Sequence, residues 1–151
     1  MDRETALKKV IHFCNYQERS HQEVEERLLE WGVMEENIPF IIQELEKSDF
    51  LNESRFAKEY AYGKFKAKGW GRIRIRQGLE RKGVPANLIE EGLKVIDEEE
   101  YISRLTLLID KKFESEENPN LLEKNHKVAR YVLSHGFEPE LIWKILKAEE
   151  I

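Results

Sequence analysis

Apolar positions fall in the same order in three segments of the chain, RLLEWGVMEENIPFIIQEL, GLERKGVPANLIEEGLKVI and YVLSHGFEPELIWKILKAE. Each is a run with helical spacing, a glycine, a large apolar residue, a short polar gap and a second helical run. The glycines are Gly32, Gly83 and Gly136, 51 and 53 residues apart. Counted from each glycine, position +1 is Val33, Val84 and Phe137, +6 is Ile38, Ile89 and Ile142, and +10 is Ile42, Leu93 and Leu146. Position −4 is Leu28, Leu79 and Val132, and −8 is Val24, Ile75 and Val128. Five apolar positions held in register three times make an internal repeat of about 50 residues.

The spacing predicts helices. Residues at −8 and −4 share one helical face, as do +6 and +10. A glycine after a helical run supplies the left-handed residue that closes it. Pro85 and Pro139 suit the first turn of the helix that follows. Ser20 and Glu23 form a capping box, and Asn52 caps the run ESRFAKEYAYGKFKAK. A further helical run precedes each glycine-centred pair. In the second unit its inner face reads Phe56, Tyr60, Gly63, Ala67, and in the third Tyr101, Leu105, Leu108, Lys112. RIRIR alternates with period two like a strand, but the repeat register places Ile75 and Leu79 on a helix. The expected fold is all-α: three tandem three-helix units, 1–48, 49–97 and 98–151, in an elongated helical-repeat protein.

Charge changes the picture in the middle unit. KFKAKGWGRIRIRQGLERKG carries Lys64, Lys66, Lys68, Arg72, Arg74, Arg76, Arg81 and Lys82 against Glu80 alone. Its net charge is +7 in a chain of net −5, so the rest sums to −12. The cluster has few local carboxylates, sets Arg72 and Arg74 at a helix start where the macrodipole disfavours cations, and is interleaved with Tyr62, Phe65 and Trp70. At 100° per residue, Arg74, Gln77 and Arg81 point away from the core direction of Ile75 and Leu79, and Arg72 and Arg76 flank it. Such a seam fits a phosphate backbone or an acidic protein surface, and a solvated helix face is the plainer reading. Trp70 reads as a packing plug or as a stacking platform for a base. Trp31 and Trp143 read as packing residues. Lys127 and Arg130 either extend the basic surface or belong to a solvated face.

Composition excludes several classes. Cys14 is the single cysteine, so no intrachain disulfide forms, which fits a reducing compartment. The N-terminal MDRETALKKVIHF lacks the form of a signal peptide, and no apolar run approaches the roughly 20 residues of a membrane span. A soluble, cytoplasmic protein is expected. His12 and Cys14 face different ways on a helix, and no CxxC, HExxH, phosphate-cradling or nucleophile-elbow motif occurs. No enzymatic activity, no metal and no cofactor are expected.

FLNESRFAKEYAYGKFKAKGWGRIRIRQGLERKGVPANLIEEGL resembles the RecX family, regulators of the RecA recombinase. The residues that carry the likeness are Arg55–Phe56–Ala57 with Leu51 four positions before, Gly69 to Ile73, Leu79, and Lys82 to Val84. Arg19–Ser20 and His135 to Phe137 match the first and third units, and Asn52–Glu53 stands where two acidic residues are expected. The resemblance covers nearly the whole chain. It implies a three-helix repeat protein that binds RecA filaments on single-stranded DNA, lies in the filament groove, inhibits strand exchange and ATP turnover, and promotes filament loss. Some members of the family bind DNA directly. The expected partners are therefore the RecA filament, the single-stranded DNA within it and free DNA, met by a monomer with no membrane contact. Two other readings stay open: a stand-alone DNA-binding module that competes for single strands, and a helical adaptor without nucleic-acid contact.

Overall fold

The computed structural model describes residues 1–149, with side chains through Ala148. Among them are nine α-helices and no strand: α1 (Arg3–Tyr16), α2 (His21–Glu30), α3 (Ile38–Lys47), α4 (Glu53–Gly63), α5 (Arg72–Arg81), α6 (Ala86–Leu93), α7 (Glu98–Ser115), α8 (Leu121–Ser134) and α9 (Pro139–Glu149). A 3₁₀ turn, Glu35–Asn37, leads into α3, and a π-helical turn, Lys64–Lys68, extends α4. RIRIR is helical, as the repeat register requires. No described helix is long and apolar enough to cross a membrane.

All fifteen repeat positions are buried, from Val24 to Leu146. The three glycines have φ of 80°, 75° and 93°, a region where a side chain is strained. In the first two turns the N–H of the next residue closes back on the helix, Val33 N to Leu28 O at 3.0 Å and Val84 N to Leu79 O at 3.1 Å. The capping box at α2 is complete: Ser20 Oγ accepts from Glu23 N at 3.1 Å, and Glu23 Oε1 accepts from Ser20 N at 3.0 Å. Asn52 caps α4 by accepting from Arg55 N at 3.0 Å.

Two inner faces differ from their expected path. On α4 and its π turn the buried residues are Phe56, Ala57, Ala61 and Phe65, whereas Gly63 and Ala67 are exposed. On α7 they are Tyr101, Leu105 and Ile109, with Leu108 and Lys112 half-buried. Both seams advance in steps of four. After α4 the wider π turn rotates the chain less per residue, which brings Phe65 inward in place of Ala67.

The chain divides into two compact units, Met1–Tyr60 with Gly78–Gly92, and Ala61–Gln77 with Leu93–Ile151. The first has a core of Ala6, Val10, Val24, Leu28, Ile41 and Leu45, with Phe13 and Trp31 packed at its margin. In the second, Tyr101 is ringed by Phe65 and Phe137 at centroid distances of 5.7 and 5.2 Å.

Candidate partner and nucleic-acid interface

The entry to α5 is shaped by glycines. Gly69, with φ of 69°, ends the π turn. Trp70 follows, then Gly71 at the mouth of the helix. The first N–H groups of a helix have no partner within it. Here the turn at Gly136 provides them: Gly71 N donates to His135 O at 2.8 Å and Ile73 N to Gly136 O at 2.9 Å. A Cβ on Gly71 would lie 2.4 Å from the carbonyl carbon of Gly136, so a side chain there is excluded by backbone. The Gly-Trp-Gly sequence is thus a docking device for another turn of the same unit.

Arg72 closes that contact. Its N–H donates to Tyr101 Oη at 2.9 Å, and its guanidinium donates to Glu138 at 2.8 Å and to Glu98. The guanidinium also lies 3.8 Å over the Tyr101 ring, and the Tyr101 hydroxyl donates to Glu138. Burial works against the charge on Arg72, but the hydrogen bond to Glu138, with the nearby Tyr101 and Glu98, holds its pKa above the usual value. Burial, and then the bond to Glu138, push the Tyr101 hydroxyl well above the ordinary tyrosine range. This arginine is an internal tie.

The other basic residues sort by their partners. Lys66 pairs with Glu100, Lys82 with Glu23 at 3.5 Å, and Lys127 with Glu116 at 3.7 Å. Carboxylates distant in sequence therefore reach part of the seam. Among the described residues, no carboxylate pairs with Lys68, Arg74, Arg81 or Arg130, and all four are exposed. In the second unit Arg74 lies 4.4 Å over the half-buried Trp70 ring, and Lys64 lies 5.0 Å over it. Trp70 carries two cations on a partly open ring. Arg76 is half-buried on the same helix. In the first unit Arg81 is exposed, and its carbonyl accepts from Gln22 Nε2 at 2.9 Å.

Two further cations and a histidine stand beside Lys68 that the charge run does not contain. Arg104, Lys111 and His135 line a cavity of about 240 Å³ with Lys68 and Phe137, and among the described residues no carboxylate lines it. Arg104 and Lys111 lie seven apart on α7, a spacing that puts them on one face. That spacing was the available signal, obscured by the acidic residues around it. No group of three or more His, Cys, Asp or Glu side chains gathers to hold a metal among the described residues.

The model for the second three-helix domain of RecX matches residues 52–93, and that for the third matches residues 98–146. A protein of Pasteurella multocida named Regulatory protein RecX is 34% identical over 137 residues, 89% of this chain and 82% of that one. A Regulatory protein RecX of Oceanobacillus iheyensis is 28% identical, and this chain, matched over 91% of its length, spans half of that relative. The crystal structure of RecX from Lactobacillus salivarius superposes with a TM-score of 0.88 at 23% identity, over 97% of this chain and 95% of that one, and shows the same fold. Two domain matches, the Pasteurella likeness and the repeat with its glycine-docked turn agree: the chain belongs to the RecX family of regulatory proteins.

Proposed function

We propose that the chain is a negative regulator of a RecA-type recombinase and has no catalytic activity of its own. It binds the recombinase filament on single-stranded DNA and lowers strand exchange and ATP hydrolysis in recombination and repair. It acts as a cytoplasmic monomer of three three-helix units, 1–48, 49–97 and 98–151. Membership of the family and the names of its relatives support the regulatory role. The observation that carries the proposed surface is the set of exposed cations that the chain's own described carboxylates leave unpaired. Lys68, Arg74 and Arg81 all lie in the middle three-helix unit, Lys68 and Arg74 within the second compact unit of the fold and Arg81 within the first. Lys64, Lys66, Arg76, Lys82, Lys127 and Arg130 add positive charge, and Arg72 holds the surface in place from within.

Recombinase ATP hydrolysis on single-stranded DNA, titrated with this protein, tests the reading. Turnover falls as the protein is added. The separate variants Arg74→Glu and Arg81→Glu need roughly tenfold more protein for the same inhibition, while far-UV circular dichroism stays unchanged. Inhibition untouched by both changes would remove the surface from the mechanism. The cations over Trp70 also favour a second reading, direct binding of single strands through base stacking. Equal affinity for naked single strands and for filaments would decide for that reading.

A further inference from the structure

The first unit holds a second basic and aromatic groove, formed by α1 and α2 and outside the charge run. Its cavity of about 550 Å³ lies within the size range of ligand sites. Four cations line it, Lys8, Lys9, Arg19 and Arg27, and among the described residues no carboxylate does. Three aromatic rings line it with them. Phe13 and Trp31 pack on the core at its margin and meet edge to face at 6.4 Å, and Tyr16 is 80% exposed.

Cations and rings are already interleaved. The Arg19 guanidinium lies 3.7 Å over Phe13 and that of Arg27 4.8 Å over the same ring, and Lys9 Nζ lies 4.7 Å over Trp31. Arg19 is fixed further by donating from Nε to Phe13 O at 3.0 Å. Among the described residues, Arg27 is the one cation of the four that shares a carboxylate, Glu30 at 3.6 Å. Lys8 and Lys9 are exposed and have no carboxylate partner among the described residues. In a chain of net charge −5, a concave site with cations, flat rings and no acid selects an anion with planar groups.

We propose that this groove is a binding site for single-stranded nucleic acid. Bases stack on Trp31 and Tyr16, while Lys8, Lys9 and Arg27 take the phosphates. An acidic peptide satisfies the cations but leaves the exposed Tyr16 ring and the half-buried Trp31 ring without stacking partners, so the nucleic acid is the better match. The site lies within the first unit and binds without a recombinase, so it stands apart from the regulatory reading above.

Trp31 is the natural reporter. In the full chain carrying Trp70→Phe and Trp143→Phe, it is the one remaining tryptophan. Titration with oligo(dT) quenches its emission, and log affinity falls linearly with log salt. Tyr16→Ala weakens binding about tenfold by removing one stacking surface. Lys8→Glu with Lys9→Glu, both at exposed positions, lowers the salt slope by about 1.4, two phosphates' worth. Polyglutamate at equal charge leaves the emission unchanged. Absence of quenching by oligo(dT) overturns the proposal. An equal response to polyglutamate also overturns it, in favour of an acidic peptide. So does a salt slope indifferent to the lysine reversals in a variant whose circular dichroism is intact.

Discussion

Gly63 and Gly71 show how far a residue's meaning depends on what lies beside it. Gly63 precedes the basic π turn and Gly71 follows its end by three residues, and both could be read as loosening it. Gly63 sits in helical conformation, and a Cβ there meets nothing within 4 Å. Gly71 touches the backbone of Gly136 and donates to His135 O. The same substitution should therefore act with opposite sign. Gly63→Ala should stabilise by about 0.5–1 kcal/mol, since alanine costs less backbone entropy in a helix. Gly71→Ala should destabilise by about 1–3 kcal/mol, because the Gly136 turn must move away and the α5 cap goes with it. Urea midpoints of the two variants would show the split, and equal shifts would disprove the docking role. The GWGRI likeness thus marks a packing constraint at Gly71 and Arg72, while the neighbouring Arg74 is left facing solvent.

At the scale of elements, a short chemical vocabulary is used repeatedly. Each glycine turn ends one helix in the left-handed region and buries the next residue, Val33, Val84 or Phe137, beneath it. Ser20 begins α2 from a fully buried position, with both capping-box bonds formed. Ser20→Ala should cost about 1 kcal/mol, read as a lower thermal or urea midpoint with circular dichroism otherwise preserved. Loss of the cap also frees Glu23, whose second carboxylate oxygen faces Lys82 at 3.5 Å. A change below a few tenths of a kcal/mol would show that the cap is dispensable. The π turn is the element with no counterpart in that vocabulary. It carries Lys64, Lys66 and Lys68 around a buried Phe65, and the aromatic contact with Tyr101 holds it in place.

At the scale of the molecule, each compact unit contains a group whose proton folding holds more tightly. In the first it is Cys14, whose thiol burial pushes up to about 11 from an ordinary 9.0. In the second it is Tyr101, raised above the ordinary 10.0 by burial and by Glu138. Both are neutral when protonated, and both have a folded pKa above the unfolded one. Their contribution is therefore complete below pH 9 and is lost as the unfolded chain ionises first. For Cys14 the loss runs from about pH 9 to 11 and amounts to up to about 3 kcal/mol. For Tyr101 it begins near pH 10. Denaturation midpoints should be flat from pH 7 to 8.5 and fall beyond, and the fall should be shallower in Cys14→Ala and in Tyr101→Phe. An identical slope in both variants would assign the alkaline loss to other groups.

The linear chain determined the local grammar: helices from spacing, their ends from Gly32, Gly83, Gly136, Ser20 and Asn52, and the fifteen core positions from a repeat whose register overrode the strand-like alternation of RIRIR. These are short-range properties, written in φ preferences, hydrogen-bond caps and the 3.6-residue period, so they are legible without neighbours. The helical wheel likewise placed Arg74 and Arg81 in solvent. Which charges are neutralised is a different matter. Glu98, Glu100 and Glu138 reach Arg72 and Lys66 from elements 26 to 66 residues away, while Arg104, Lys111 and His135 join Lys68 at one cavity. Charge acts through space, so tertiary packing alone decided which part of the basic run is an internal tie and which part faces outward. The same holds for the groove of Phe13, Tyr16 and Trp31, whose cations come from two helices and the turn between them and form no run along the chain.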